Sequence, residues 1–409
     1  MASVSTTVIL GGGFGGLACA RALRAATGRD HRILLIDRSP VFVVGAAKTW
    51  VMLGDRRADE VMKTRAALVP DGVELLREEV RRLDPVTRRV DTDRGAHVAD
   101  HLVIALGAEL DMAAVPGLDA AAHTFYTLDG AARMRAALET FRSGRLVLLV
   151  PRIPFACPPA PYEAAFLLHA LFVHRGTRDA VTFDVWTVEK SPMGTAGPEM
   201  GRMIVGELES RGIGFHGGKK AVSVEPAAHT IHFEDGAETG YDLLLAVPPH
   251  RPPRVLIDAG LAEPGGWVRV DPLTLELKAS GVTNVYAVGD STGVALPGRY
   301  DPAAPPLAMP KAGIFAAGEG EVVAARIAAR LAGRDESAPF AGRGFCYLET
   351  GGRQAIRADG DFFAEPHPVM SAQPPTEQQY RDKVAWIESW LTPPRTPETP
   401  RLSGRDQLE

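Results

Sequence analysis

Short runs of apolar, largely β-branched residues recur along the chain at Thr7–Leu10, Arg32–Ile36, His101–Ile104, Leu146–Val150, Val181–Val188, Leu243–Val247 and Val285–Val288. Between them lie stretches with helical spacing of apolar positions, among them Leu17–Ala26, Tyr162–Phe172, Met200–Arg211 and Ala312–Leu331. Strand-like runs followed by amphipathic helices predict parallel sheets built from βαβ units. No repeat at a fixed period interrupts the pattern. The Pro/Gly-rich stretch Leu296–Pro310 reads as a functional loop, because strand and helix signals resume on both sides. From about Ala338 the character changes to short strands, then to a tail with Pro374, Pro375, Pro393, Pro394, Pro397 and Pro400. That region reads as a small C-terminal module with a loose extension. The best apolar stretch, Ala164 to Val173, is broken by His169 and is too short to span a bilayer.

Length and charge narrow the picture. At 409 residues the chain has room for two or three domains. Its 45 Lys+Arg against 50 Asp+Glu give a net charge of −5, with no basic stretch interleaved with aromatics, so no nucleic-acid partner is expected. Three cysteines cannot form a disulfide framework, and no C-x-x-C offers a zinc knuckle. His169, His174, His216 and His250 follow no ligand spacing, so no metal is expected. No basic leader precedes the first strand, and the expectation is a cytoplasmic protein or one peripheral on the inner membrane.

The first strand runs directly into Gly11-Gly-Gly13-Phe-Gly-Gly16 and then a helical pattern. Gly11 permits the tight turn, Gly13 lets a pyrophosphate approach the backbone, and Gly16 lets helix pack on strand. Twenty-one residues past Gly16, after the second strand, Asp37 is placed to accept ribose hydroxyls. The unit is complete and predicts a dinucleotide site.

The strand Arg145–Val150 should open a second such unit, but no glycine loop follows. Pro151, Pro154, Pro158, Pro159 and Pro161 occupy the turn. Prolines remove N–H donors and add bulk where a pyrophosphate cradle needs open backbone. Reduction by a pyridine nucleotide is therefore not expected. In that turn stands Cys157, with Glu163 six residues on. A proline loop is a poor place for a packing thiol, so a functional role is favoured. Cys19, in the first helix, reads as a packing residue, and Cys346 taken alone could be a core strand residue.

Two further segments carry a resemblance. Asp100-His-Leu-Val-Ile-Ala-Leu-Gly107 and Asn284-Val-Tyr-Ala-Val-Gly-Asp290 resemble the later FAD motifs of two-dinucleotide-domain flavoproteins, which makes FAD the expected cofactor. Cys157-Pro-Pro-Ala-Pro-Tyr-Glu163 closely resembles the active-site segment of the sulfide:quinone oxidoreductase and flavocytochrome c sulfide dehydrogenase family. Phe42 to Gly54 is similar to the family's flavin-side loop, Pro310-Lys-Ala-Gly313 to the start of its flavin-directed helix, and Gly344-Phe-Cys346-Tyr-Leu-Glu349 to the segment carrying its second redox cysteine. Together these cover most of residues 5–365.

The resemblance implies an α/β fold of two Rossmann-like (FAD/NAD(P)-type) domains, the second inserted in the first, plus a small C-terminal module. The expected boundaries are 1–113 with 240–332 for the FAD domain, 114–239 for the degenerate NAD(P)-type domain, and 333–409 for the module. It implies FAD binding by Gly11, Gly13, Phe14, Gly16, Asp37, Lys48, Val80, Ala105, Gly107, Gly289, Asp290 and Lys311. It further implies a redox pair, Cys157 and Cys346, that passes two electrons from sulfide to the flavin. Glu163 would shuttle protons, and Lys311 with its helix N-terminus would stabilise charge on the reduced flavin. Asp290 taken alone could be a helix N-cap, or could do both jobs.

The chain departs from the family in places. Tyr126 stands where the best-known members carry a third cysteine, and residues 38–56 hold no cysteine for covalent attachment, so FAD should be non-covalent. The expected partners are a small sulfide donor and a quinone, with peripheral membrane contact and homo-oligomerisation left open. Thr376 and Gln379 should cap a helix whose stripe is Tyr380, Val384, Ile387 and Leu391, flanked by Trp386 and Trp390. Those tryptophans suit a membrane interface, while packing on the body is an equal alternative. Phe362 and Phe363 could line a quinone channel or belong to the core. The rival functions are a sulfide or thiol dehydrogenase reducing a soluble cytochrome or other protein acceptor, and a non-catalytic flavin or sulfide sensor.

Overall fold

The computed structural model describes residues 5–263, 266–334 and 337–394. Pro397 and Pro400 of the expected extension lie outside these residues. Two parallel sheets organise the chain. The first has five strands in the order Val285–Ala287, His101–Ile104, Thr6–Leu10, Arg32–Ile36 and Glu74–Leu76. The second has four, in the order Ile213–His216, Val181–Thr187, Gly144–Val150 and Leu243–Ala246, and falls between the fourth and last strands of the first in sequence. The predicted strands all form, with ends displaced by a few residues.

One expectation shifts. Leu243–Ala246 pairs with Gly144–Val150, Leu146 opposite Leu243, so the second sheet reaches residue 246 rather than ending before 240. All four of these residues are buried although the strand lies at the sheet's edge, where the His123 N–H donates to the Leu244 carbonyl at 2.9 Å and the Ala246 N–H to the His123 carbonyl at 2.8 Å.

Register decides where the site lies. Leu10 pairs with both Ile36 and Ile104, so the turns that follow these strands leave the sheet at one edge. Ligands of open α/β sheets gather outside the carboxyl ends of the strands, and Gly11, Asp37 and Ala105 all emerge there. Above the sheet, helix Phe14–Ala26 crosses helix Gly313–Leu331 through glycines. A Cβ on Gly320 would lie 2.3 Å from the Gly15 carbonyl oxygen. Cys19 is fully buried at this crossing, as expected of a packing thiol.

The C-terminal module is an antiparallel sheet of Arg343–Gly351, Gln354–Asp361 and Val369–Ala372, followed by helix Glu377–Leu391. Thr376 caps that helix by accepting from the Gln379 N–H at 3.2 Å. The helix packs on the body. Trp386 stacks on Phe14 at 5.8 Å and Trp390 meets the same ring edge-on at 4.7 Å, both tryptophans being half-buried. Phe362 packs edge-on against Phe315 and Phe363 against Phe340. Among the described residues, no helix is long and apolar enough to cross a membrane.

Candidate functional site

A cavity of about 310 Å³ opens where the first helix, the second unit's proline loop and the C-terminal sheet converge. Gly13, Phe14, Lys48, Ala105, Gly107, Gly289, Asp290 and Lys311 line it, and so do Cys157 and Cys346. Residues 189 positions apart thus face one space. Gly11 and Gly16 lie beneath the loop. A Cβ on Gly16 would fall 1.8 Å from the Gly11 carbonyl oxygen, and one on Gly11 (φ +95°) 2.2 Å from the Ala105 carbonyl oxygen. Gly13 has open space where its Cβ would be, the approach a pyrophosphate requires. First-turn N–H groups of the helix face this space, with no acidic side chain to compete for them. These residues fit a flavin dinucleotide. Asp37 and Val80 lie off the cavity. Asp37 accepts from the Gly12 N–H at 2.7 Å, while Val80 pairs with Thr92 in a separate antiparallel sheet.

The cysteine loop is held from three sides. Cys157 adopts φ +57°, the left-handed region that side chains rarely occupy. Its N–H donates to the Lys311 carbonyl at 2.6 Å, and its own carbonyl accepts from Ala160 N–H at 2.8 Å. Tyr126 donates its hydroxyl to the Ala156 carbonyl at 2.9 Å. Cys346 comes from strand Arg343–Gly351, opposite Ala358. Burial, and then Glu163, push the Cys157 thiol up to about 12. Burial, then Cys157 and Glu163, do the same to Cys346. Resting thiols here stay protonated near neutral pH.

Lysines surround the cavity. Lys48 and Lys311 are both pulled down to about 8 by burial, against the upward influence of nearby negative charge, Asp290 in each case. Lys48 donates to the Tyr126 carbonyl. The Lys311 ammonium donates to the carbonyls of Asp290 at 2.7 Å and Thr292 at 3.0 Å and lies over the Trp267 ring. Asp290 caps no long helix, since the helix after it starts at Gly313 with Ala312 as N-cap. Burial raises its carboxyl, opposed by Lys311 and Lys48.

Glu163 is buried beneath the cysteine loop in an ion network that sequence reasoning missed. Lys383, from the C-terminal helix, donates to Glu163 at 2.8 Å and to Glu349 at 2.6 Å. Trp50 donates its indole N–H to Glu349 at 2.7 Å, and the Glu349 N–H donates to Glu163 at 2.9 Å. One ammonium serves two carboxylates. Burial raises Glu163 despite Lys383, while the two carboxylates outweigh burial and hold Lys383 above its ordinary value. The available signal was a lysine at position 383 within the apolar stripe, three residues after Tyr380 and four before Ile387.

The profile of the pyridine nucleotide-disulphide oxidoreductase family matches residues 5–149. The mitochondrial sulfide:quinone oxidoreductase of Mus musculus is 24% identical over 371 residues, spanning 88% of this chain and 78% of that protein. The sulfide-quinone reductase of Aquifex aeolicus is 25% identical over 399 residues, spanning 94% and 88%. The X-ray structure of the Aquifex aeolicus sulfide:quinone oxidoreductase superposes with a TM-score of 0.83 at 24% identity, covering 94% of this chain and 90% of that one. The chain is a flavoprotein-type oxidoreductase with two dinucleotide folds, similar along nearly its whole length to the sulfide:quinone oxidoreductases.

Proposed function

We propose that this protein oxidises sulfide to zero-valent sulfur at Cys157 and Cys346 and passes the electrons, through a non-covalently bound FAD, to a quinone. The observation that carries the reading is that two cysteines distant in sequence line one cavity, beside a second dinucleotide-type unit whose loop is replaced by prolines. When bound there, the flavin supplies a two-electron sink that a quinone can empty.

The chain's own residues do the sulfur chemistry. With both thiols protonated at rest, the pair becomes bridged only by giving up two protons and two electrons, which the flavin sink would take; the bridge is then the electrophile and hydrosulfide the nucleophile. Its attack forms a persulfide on one cysteine and breaks the bridge, releasing the other as thiolate. Lys48 and Lys383 supply positive charge near Cys157 for that thiolate. Each hydrosulfide oxidised to zero-valent sulfur yields one proton and two electrons, and Glu163, adjacent and partnered by Lys383, accepts the proton.

Anaerobic titration with sulfide tests this. Wild type should bleach its flavin band stoichiometrically, and Cys157→Ser should retain flavin but bleach about 10³-fold more slowly or not at all. A flavin that stays oxidised in wild type would show a binding protein instead. Acid precipitation should release the flavin, since no cysteine lies in residues 38–56. A second reading, a soluble protein acceptor, draws on the inward packing of Trp386 and Trp390. Reoxidation by a short-chain quinone at the catalytic rate supports the first reading, and reoxidation only by a soluble cytochrome the second.

A further inference from the structure

Arg65 opens a short helix after strand Met62–Thr64 and is only 5% exposed. It packs flat against the phosphate loop. A Cβ on Gly12 would lie 2.5 Å from both its Cδ and its Nε. One end of the guanidinium pairs with Asp37 Oδ2 at 3.0 Å, and the other donates to the Val41 carbonyl at 2.7 Å. The Nε–H, buried beside Gly12, has no hydrogen-bond partner among the described residues. A buried guanidinium N–H without an acceptor is costly, and such groups are usually matched by a ligand or water.

The neighbouring bonds say what chemistry that ligand has. Asp37 draws in the Gly12 N–H at 2.7 Å and the Ser39 N–H at 2.7 Å. The loop therefore gives up one of the backbone donors a pyrophosphate would use, and it places a carboxylate beside that anion's path. A fixed guanidinium across Gly12 offsets both losses. It neutralises Asp37 and offers a charge-assisted donor on the adenosine side of the loop. We propose that Arg65 is a cofactor-binding residue, held across Gly12 by Asp37 and Val41 so that its guanidinium meets the phosphate-bearing adenosine half of the dinucleotide. This rests on the flavin dinucleotide reading of the cleft.

The test is cofactor affinity rather than turnover. Flavin-stripped wild type, Arg65→Met and Arg65→Lys are titrated with FAD and with FMN by flavin fluorescence, and ADP is added as a competitor. Arg65→Met should weaken FAD about 10- to 100-fold, leave FMN within about twofold, and lose competition by ADP. Arg65→Lys, which keeps the charge without the fork, should fall between. FAD binding by Arg65→Met as tight as wild type overturns the assignment, as does an equal loss for FAD and FMN. If Arg65→Met does not fold, the contrast of FAD with FMN in Arg65→Lys decides, and no contrast overturns it. Wild type that takes up no FAD refutes the cleft reading itself, whereas normal wild-type uptake with an unaffected variant refutes only the role of Arg65.

Discussion

The two dinucleotide-type units share a plan of strand, turn, helix, second strand and trailing acid, yet they close differently. In the first, the turn is Gly11 to Gly16 and the acid is Asp37, which binds the loop's own Gly12 N–H and Arg65. In the second, the turn runs Pro151 to Pro159 around Cys157, and the corresponding acid is Glu189. Glu189 is buried and turned inward, accepting from the Tyr162 hydroxyl at 2.5 Å and the Met193 N–H at 3.0 Å. Tyr162 belongs to the helix that follows the cysteine. A ribose would thus find neither an open loop nor a free acid. The strand framework is common to both units, and the turn residues decide whether it holds a nucleotide or a thiol.

The largest expected effects come from exchanging what the turns can do. Gly16→Val drives a side chain into the Gly11 carbonyl, 1.8 Å from where its Cβ must lie. It should yield protein without flavin, read as the absorbance ratio of flavin to protein. Restoring donors in the other unit, by Pro151→Gly with Pro158→Gly, should leave flavin content unchanged. It should still give flavin reduction by NADH about 10³-fold slower than by sulfide, since Glu189 stays closed on Tyr162. Rapid bleaching of wild type by NADH would break the comparison.

Next in size is the anchor between the second unit and the C-terminal helix. Lys383→Met leaves Glu163 and Glu349 buried without their shared cation. Removing one partner of a buried ion pair costs about 3–5 kcal/mol, so urea unfolding should show a loss in that range. Pairing it with Glu349→Gln should recover part of the loss. A loss below about 1 kcal/mol would mean that the helix is not held by this network.

The strands, the glycine loop and the long helices were legible because burial and turn chemistry are written locally. Gly11, Gly13 and Gly16 state their roles through spacing alone. The proline loop was legible by what it lacks, and the cap at Thr376 by its spacing to Gln379. Lys383 was not, because its partners lie 220 and 34 positions away and nothing local marks a lysine for burial. The stripe flanked by Trp386 and Trp390 left two surfaces open for the same reason, since an amphipathic stripe does not say which surface it meets. The pairing of Leu243–Ala246 with Gly144–Val150 was not legible, because a fully apolar strand fits either sheet. Arg65 was not legible either, because its partner Val41 lies 24 positions away and nothing local marks an arginine for burial.

The smallest predicted effect sharpens the comparison most directly, because it reads the inward turn of the second acid. Burial raises Glu189 to about 7, against the opposing hydrogen bonds from Tyr162, Met193 and Thr187. An unfolded glutamate titrates near 4.3. Between these values the folded chain holds a proton that the unfolded chain has released, so stability falls as pH rises from about 4 to about 7 and is level above that. Glu189→Gln removes this slope while keeping both contacts, since the amide oxygen can accept from Met193 and the amide N–H can donate to the Tyr162 oxygen. The stability difference, variant minus wild type, should therefore grow by about 3 kcal/mol between pH 5 and pH 8 in parallel urea titrations. A difference for Glu189→Gln that does not vary with pH would mean that burial does not hold a proton on Glu189, and that the second unit has kept a ribose-reading acid after all.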